Sequence, residues 1–312
     1  MMAFLSNVLT AFTQVLILFI IAAVGFVCHK TGIYTEKASK LTTDLLFYIA
    51  TPAVIVRSFL SIEYTDGALH GLLLALLGGT LFHIVAIILS LLLFNKGEKS
   101  TAAIFKYASC YGNVGYMALP LAQAVLGAEG VFYCSMIVVP FNIFSFTHGV
   151  KIMRREKDKL GIKGLILNPG SLGVLIGLPL FISGLTVPNV LYAPISYLAD
   201  LNTPLAMVMF GTYLASADWK TLLSDKRVFL AATVKIILLP LLTLCGLRLI
   251  GFSGTLLTAC VLSASAPTAN NTVMFSAKYG RDTALASKVT AFISVLSVVT
   301  MPVMIALANV IK

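Results

Sequence analysis

Charge is what this chain has least of. Of its 312 residues only 11% are Asp, Glu, Lys or Arg, against 59% hydrophobic, and the mean hydropathy is +0.97. Soluble domains carry about 25% charged and about 45–50% apolar residues, so a water-soluble fold of this length is excluded and lipid is the matching solvent. Acidic residues number 12 and histidines four. No HExxH helix occurs, no span holds a pair of aspartates, and His83 and His148 stand isolated. No intramembrane enzyme is expected. The five cysteines (Cys28, Cys110, Cys134, Cys245, Cys260) show neither a CxxC pair nor a Cys/His spacing, so neither a metal site nor a disulfide framework is indicated. The segment before the first apolar run lacks a basic region, and no small-residue cleavage site follows. That run is read as a retained membrane helix.

What is present is a series of long apolar runs, at about 8–28, 41–60, 69–94, 102–126, 131–150, 170–187, 193–215, 228–250, 255–277 and 284–310, with bounds good to a few residues. Each has the length of a bilayer-spanning helix, and none alternates as a barrel strand would. The expected fold is therefore an all-α integral membrane protein of ten spans. The net charge of +10 lies in short clusters between the runs, without interleaved base-stacking aromatics, so nucleic acid is not an expected partner. Nineteen of the 22 Lys and Arg residues flank loops 1–2, 3–4, 5–6, 7–8 and 9–10. Four of them are assigned to loop 7–8 and its helix ends, Lys235 included, while the opposite side holds only Arg57, Arg248 and Lys312. The positive-inside rule puts the clusters in the cytoplasm and both termini outside it, in the cell's inner (plasma) membrane.

Two landmarks recur. Ala50-Thr51-Pro52 in span 2 matches Asn202-Thr203-Pro204 in span 7 at an offset of 152, and Gly127 after span 4 matches Gly280 after span 9 at 153. Five helices per copy is an odd number, so the second copy runs inverted, as in many secondary transporters. The expected organisation is a first repeat over 1–150, a cytoplasmic connector over 151–168 and an inverted repeat over 169–312. Spans 4 and 9 are interrupted at corresponding places. Span 4 holds Gly112, Asn113, Gly115 and Pro120, and span 9 holds Pro267 followed by Thr268, Asn270 and Asn271. Open backbone at membrane depth must face protein or a wet cavity. Matched breaks thus predict a midplane site built of Asn113, Gly115, Pro267, Thr268, Asn270 and Asn271, with Asn142 of span 5 close enough to contribute. Broken helices present free N–H groups and a positive dipole end, which suits a small organic anion without a fixed charge. Asp200 and His83 are the candidates for proton or cation coupling.

The segments TPAVIVRSFL, GNVGYMALPL and SAPTANNTVMFSAKYG resemble the auxin efflux carrier family, which includes bacterial permeases for malate and malonate. The resemblance runs through nearly the whole chain in order, without the long central loop of the plant exporters and with no proline at the span 4 crossover itself. It implies a fold like that of bile-acid sodium symporters, with a scaffold of spans 1, 2, 6 and 7, a moving transport domain of spans 3–5 and 8–10, and a homodimer joined through the scaffold. It also implies substrate-carboxylate contacts from Asn113 and from Asn270 or Asn271. The function so expected is elevator-type carriage of an organic anion, with no cofactor beyond a possible sodium ion. Sodium or proton symport of the same substrate class is the alternative, ahead of a channel or receptor.

Overall fold

The computed structural model describes residues 2–95, 98–154, 169–216 and 226–311. In chain order the helices are α1 (Met2–Lys30), α2 (Glu36–Leu45), α3 (Thr51–Leu60), α4 (Asp66–Leu93), α5 (Lys99–Cys110), α6 (Leu119–Phe144) and α7 (Val150–Met153). The second half continues with α8 (Pro169–Ser183), α9 (Asn189–Asp200), α10 (Asn202–Ser216), α11 (Lys226–Thr233), α12 (Leu239–Leu249), α13 (Gly254–Ser265), α14 (Asn271–Lys278) and α15 (Thr283–Val310). No strand occurs among the described residues. Among the described residues five stretches are long and apolar enough to cross a bilayer: Leu41–Leu60, Asp66–Leu93, Leu119–Met153, Lys226–Leu249 and Thr283–Val310. Leu16–Lys30, Pro169–Ser183 and Gly254–Ser265 are shorter apolar helices. The predicted connector lies outside the described residues from 155 onward, so its structure is not stated.

Three prolines share one local pattern, while Pro140, Pro179, Pro194 and Pro302 lie inside α-helix. Wide π-helical turns at Leu46–Ala50, Val114–Ala118 and Val234–Leu238 each precede a proline by two residues: Pro52, Pro120 and Pro240. A helical proline clashes with the carbonyl four residues earlier, and in each case that residue (48, 116 or 236) lies inside the widened turn. The turn relieves the clash while the helix continues, and it rotates the side chains of the turn out of ordinary register. Glycines with positive φ end segments instead. Gly127 (φ +67°) kinks α6 at the end of predicted span 4, and Gly280 (φ +61°) closes α14 at the end of span 9.

Helices pack through small residues, as expected where lipid rather than water surrounds them. α1 lies along α10 so closely that a Cβ built on Gly211 would stand 1.8 Å from Ala22 O, and one on Gly25 would stand 2.0 Å from Val208 O. α3 lies along α8 with Gly177 against Phe59, and α4 along α6 with Gly79 against Pro140 and Gly71 against Tyr133. The outer surface is apolar: Leu92, Val190 and Leu249 are largely exposed, while Ser135, Ser263, Thr258 and Thr272 lie inside. That inversion of the soluble pattern is stable only in hydrocarbon. The two proline landmarks also touch, since Thr51 Oγ1 donates to Asn202 Oδ1 at 3.2 Å.

Gly211→Val should therefore split the α1–α10 contact. Overpacking costs about 1–3 kcal/mol, and more where backbone is the obstacle. Gly246→Ala, a position with open space around it, should be neutral or stabilising. Thermal melting of the two variants in detergent checks this contrast.

Candidate functional site

α5 stops at Cys110, Tyr111 is extended (φ −103°, ψ 114°), and helix resumes at Val114. α13 stops at Ser265, Ala266 is extended (φ −55°, ψ 135°) as the residue before a proline should be, and helix resumes at Asn271. The two open stretches face each other and pair. Gly112 and Thr268 form an antiparallel bridge. The Asn113 N–H donates to Pro267 O at 2.6 Å, and the Ala269 N–H donates to Tyr111 O at 2.9 Å. Each break thus supplies the partners that the other lacks, which removes most of the cost of opening backbone in a membrane.

Side chains complete the pairing at the two helix C-termini. Thr268 Oγ1 donates to Ala108 O, in the last turn of α5, at 2.8 Å. Lys235 Nζ donates to Ala264 O, in the last turn of α13, at 2.7 Å. Lys235 is fully buried. The sequence reading assigned it to the ends of loop 7–8 and expected no fixed charge near the breaks, and both expectations are corrected here. The π turn before Pro240 carries Lys235 on the inner side of its helix. Gly112 is the residue that leaves room for the ammonium, because a Cβ there would lie 2.9 Å from Nζ and 3.0 Å from Ala266 O.

Beside the pairing lie two cavities. The larger, about 430 Å³, is walled by α10, α14 and α15 and lined by Asn113, Met117, Met209, Phe210, Asn270, Met274, Ser287, Thr290 and Ser294, among others. The smaller, about 50 Å³, is lined by Thr51, Asn113, Gly115, Asn142, Asn270 and Asn271, among others. Asn113 and Asn270 therefore stand at the junction of the two. Asn270 Nδ2 and Thr290 Oγ1 are buried without a hydrogen-bond partner, and buried donors of that kind call for a ligand or water. Ser287, Thr290 and Ser294, at helical spacings of three and four, went unmarked in the sequence. Three small hydroxyl residues on a membrane helix look like ordinary packing until the cavity beside them is known.

A family model described as membrane transport protein matches residues 10–305. This chain belongs to that family. Its auxin-efflux-carrier-like character agrees with the resemblance carried by spans 2, 4 and 9. A relative in Rhizobium meliloti (strain 1021), named "Putative malonate transporter", is 26% identical over 287 residues, covering 88% of this chain and 89% of its own. An uncharacterized transporter of Methanocaldococcus jannaschii is 25% identical over 285 residues, covering 86% and 89%.

In this transport-family member the remaining predicted residues are placed as follows. Asn142, buried, donates to Ser171 Oγ at 3.0 Å and reaches the smaller cavity. Pro267 and Thr268 line neither cavity, since the carbonyl of one and the hydroxyl of the other are spent on the pairing. Asp200 is paired with Arg57, 143 residues away, and its carboxylate side is largely exposed. The sequence reading placed Asp200 inside a span without this partner, and the ion pair gives it a structural reason to be there. His83 is fully buried, with Nδ1 2.6 Å from Gly79 O and its ring stacked on Phe82. It lines neither cavity.

Thr268→Val keeps the shape of the side chain and removes its donor, leaving Ala108 O unpaired. An orphaned buried carbonyl costs about 1–3 kcal/mol. Thr268→Val should melt well below the parent protein, and Thr268→Ser close to it, in the same detergent assay.

Proposed function

We propose that this family member is a secondary carrier of a small organic anion bearing a carboxylate. The observation that carries the reading is the junction of the two cavities. The amides of Asn113 and Asn270 meet there, one amide nitrogen of Asn270 being buried and unpartnered, and the helix starts at Val114 and Asn271 and the amide of Asn142 line the smaller cavity beside it. Helix N-termini and amide donors favour an anion. About 430 Å³ lies within the usual range of small-molecule sites, about 300–1,000 Å³. The relative named for malonate supports the same chemical class.

The carrier works by elevator-type alternating access on a ten-span, five-plus-five inverted repeat. The contacts α1–α10 and α3–α8 correspond under such a repeat (span 1 on 7, span 2 on 6) and support a scaffold of those four spans. Spans 3–5 and 8–10, which include the paired breaks, form the moving unit. The larger cavity lies between the two groups, against α10, where a sliding unit would hand substrate from one side to the other. The scaffold joins two copies as a homodimer in the inner membrane, with both termini outside the cytoplasm. An anion leaving a negative interior needs no coupled ion, so the basic cycle is uniport.

Asn113→Ala and Asn270→Ala should each weaken carboxylate transport strongly. A lost hydrogen bond to a charged group is worth about 1.5–3 kcal/mol, or roughly 10- to 150-fold in affinity. Asn271→Ala, reaching only the smaller cavity, should cost less. Counterflow of malonate and a panel of mono- and dicarboxylates in proteoliposomes measures this. Normal transport by both of the first two variants would remove the site from the crossover.

A further inference from the structure

We propose that Lys235 is a resident cation of the crossover: a covalently held ammonium that occupies the place where a dissociable cation would otherwise have to bind. The placement of a charge here is the first ground. A lysine at the centre of a membrane is costly, and long side chains near helix ends escape by reaching for the interface. Lys235 does the opposite. It is fully buried, it points inward from a π turn, and among the described residues its one hydrogen bond goes to Ala264 O. No carboxylate pairs with it, the ion pair of the described residues being Arg57 with Asp200.

The second ground is what surrounds the ammonium. A helix C-terminus carries about half a negative charge, and two of them end together here, α5 at Cys110 and α13 at Ser265. Nζ caps the carbonyl of Ala264 directly, and a Cβ on Gly112 would stand 2.9 Å from it. Unwound backbone carbonyls and the C-terminal ends of half-helices form the usual setting for a coupling cation in a carrier. In this chain the position is filled by a side chain that cannot leave. Lys235 lines neither cavity, so it does not touch the substrate. It is a positioning residue, holding the two C-termini together while the opposite helix ends face the anion.

Two consequences follow, the second resting on the carrier reading above. The crossover needs no sodium for stability. Anion transport also needs no sodium gradient, because the balancing charge at the crossover travels with the moving unit.

The test begins with the wild-type protein purified in detergent and in proteoliposomes. Melting temperature and carboxylate counterflow are compared in sodium chloride and in choline chloride at equal ionic strength. Both should be unchanged, and a requirement for sodium in either would overturn the inference. Lys235→Met, which keeps the volume and removes the charge, should lose stability and roughly tenfold or more of the counterflow rate, whereas Lys235→Arg should retain most of both. Lys235→Ala opens space at the carbonyls, and added methylammonium chloride should restore its melting temperature in a saturable way that N-methyl-D-glucamine chloride does not reproduce. Such rescue by a small cation is not expected of a side chain that only fills volume. If Lys235→Met matches the wild type while carboxylates are transported, the resident cation is wrong and the carrier reading stands. If no carboxylate is transported by the wild type yet Lys235→Ala is rescued by methylammonium, the carrier reading fails and the resident cation stands.

Discussion

Everything at the centre of this protein depends on one constraint, that backbone opened inside a membrane must find partners there. Two interrupted helices meet the constraint by pairing with each other. The bridge between Gly112 and Thr268 and the flanking hydrogen bonds from Asn113 and Ala269 convert two local defects into one shared structure. Each break satisfies the other, which accommodates Gly112 at one place and Pro267 at the other, both unfavourable in an isolated helix. The pairing also decides which groups remain for function. Pro267 and Thr268 are used up in holding the breaks together, while Asn113 and Asn270 point past them into the cavities.

Charge is arranged around the same structure. Lys235 and Thr268 cap the helix C-termini, and the helix starts at Val114 and Asn271 line the smaller cavity. The polarity of the site thus comes from helix ends oriented by the fold. Lys235 itself lies in the π turn that precedes Pro240.

How far the sequence reveals this varies with the kind of physics involved. The helical, lipid-facing character was plain, because apolar runs of spanning length admit one solvent. The break in span 9 was legible from Pro267, whose missing N–H and steric demand act locally. The break in span 4 was legible only from Gly112 and Gly115, and its first open residue, Tyr111, carries no local mark at all. Long-range facts were not legible. Arg57 and Asp200 are 143 residues apart, and Lys235 near the end of a basic cluster looks like any interfacial lysine. The hydroxyls of Ser287, Thr290 and Ser294 acquire meaning only once α15 is seen to wall a cavity. In each of these cases the decisive neighbour comes from a distant part of the chain, and residue type alone does not name it.

The most direct measurement of the central claim is an experimental density map of the purified protein with a transported carboxylate bound. The account predicts α5 and α6 interrupted at residues 111–113, paired with residues 267–269, and the carboxylate within hydrogen-bond distance of the Asn270 amide at the junction of the two cavities. A ligand bound away from Asn113 and Asn270, or a continuous helix through either break, would contradict it.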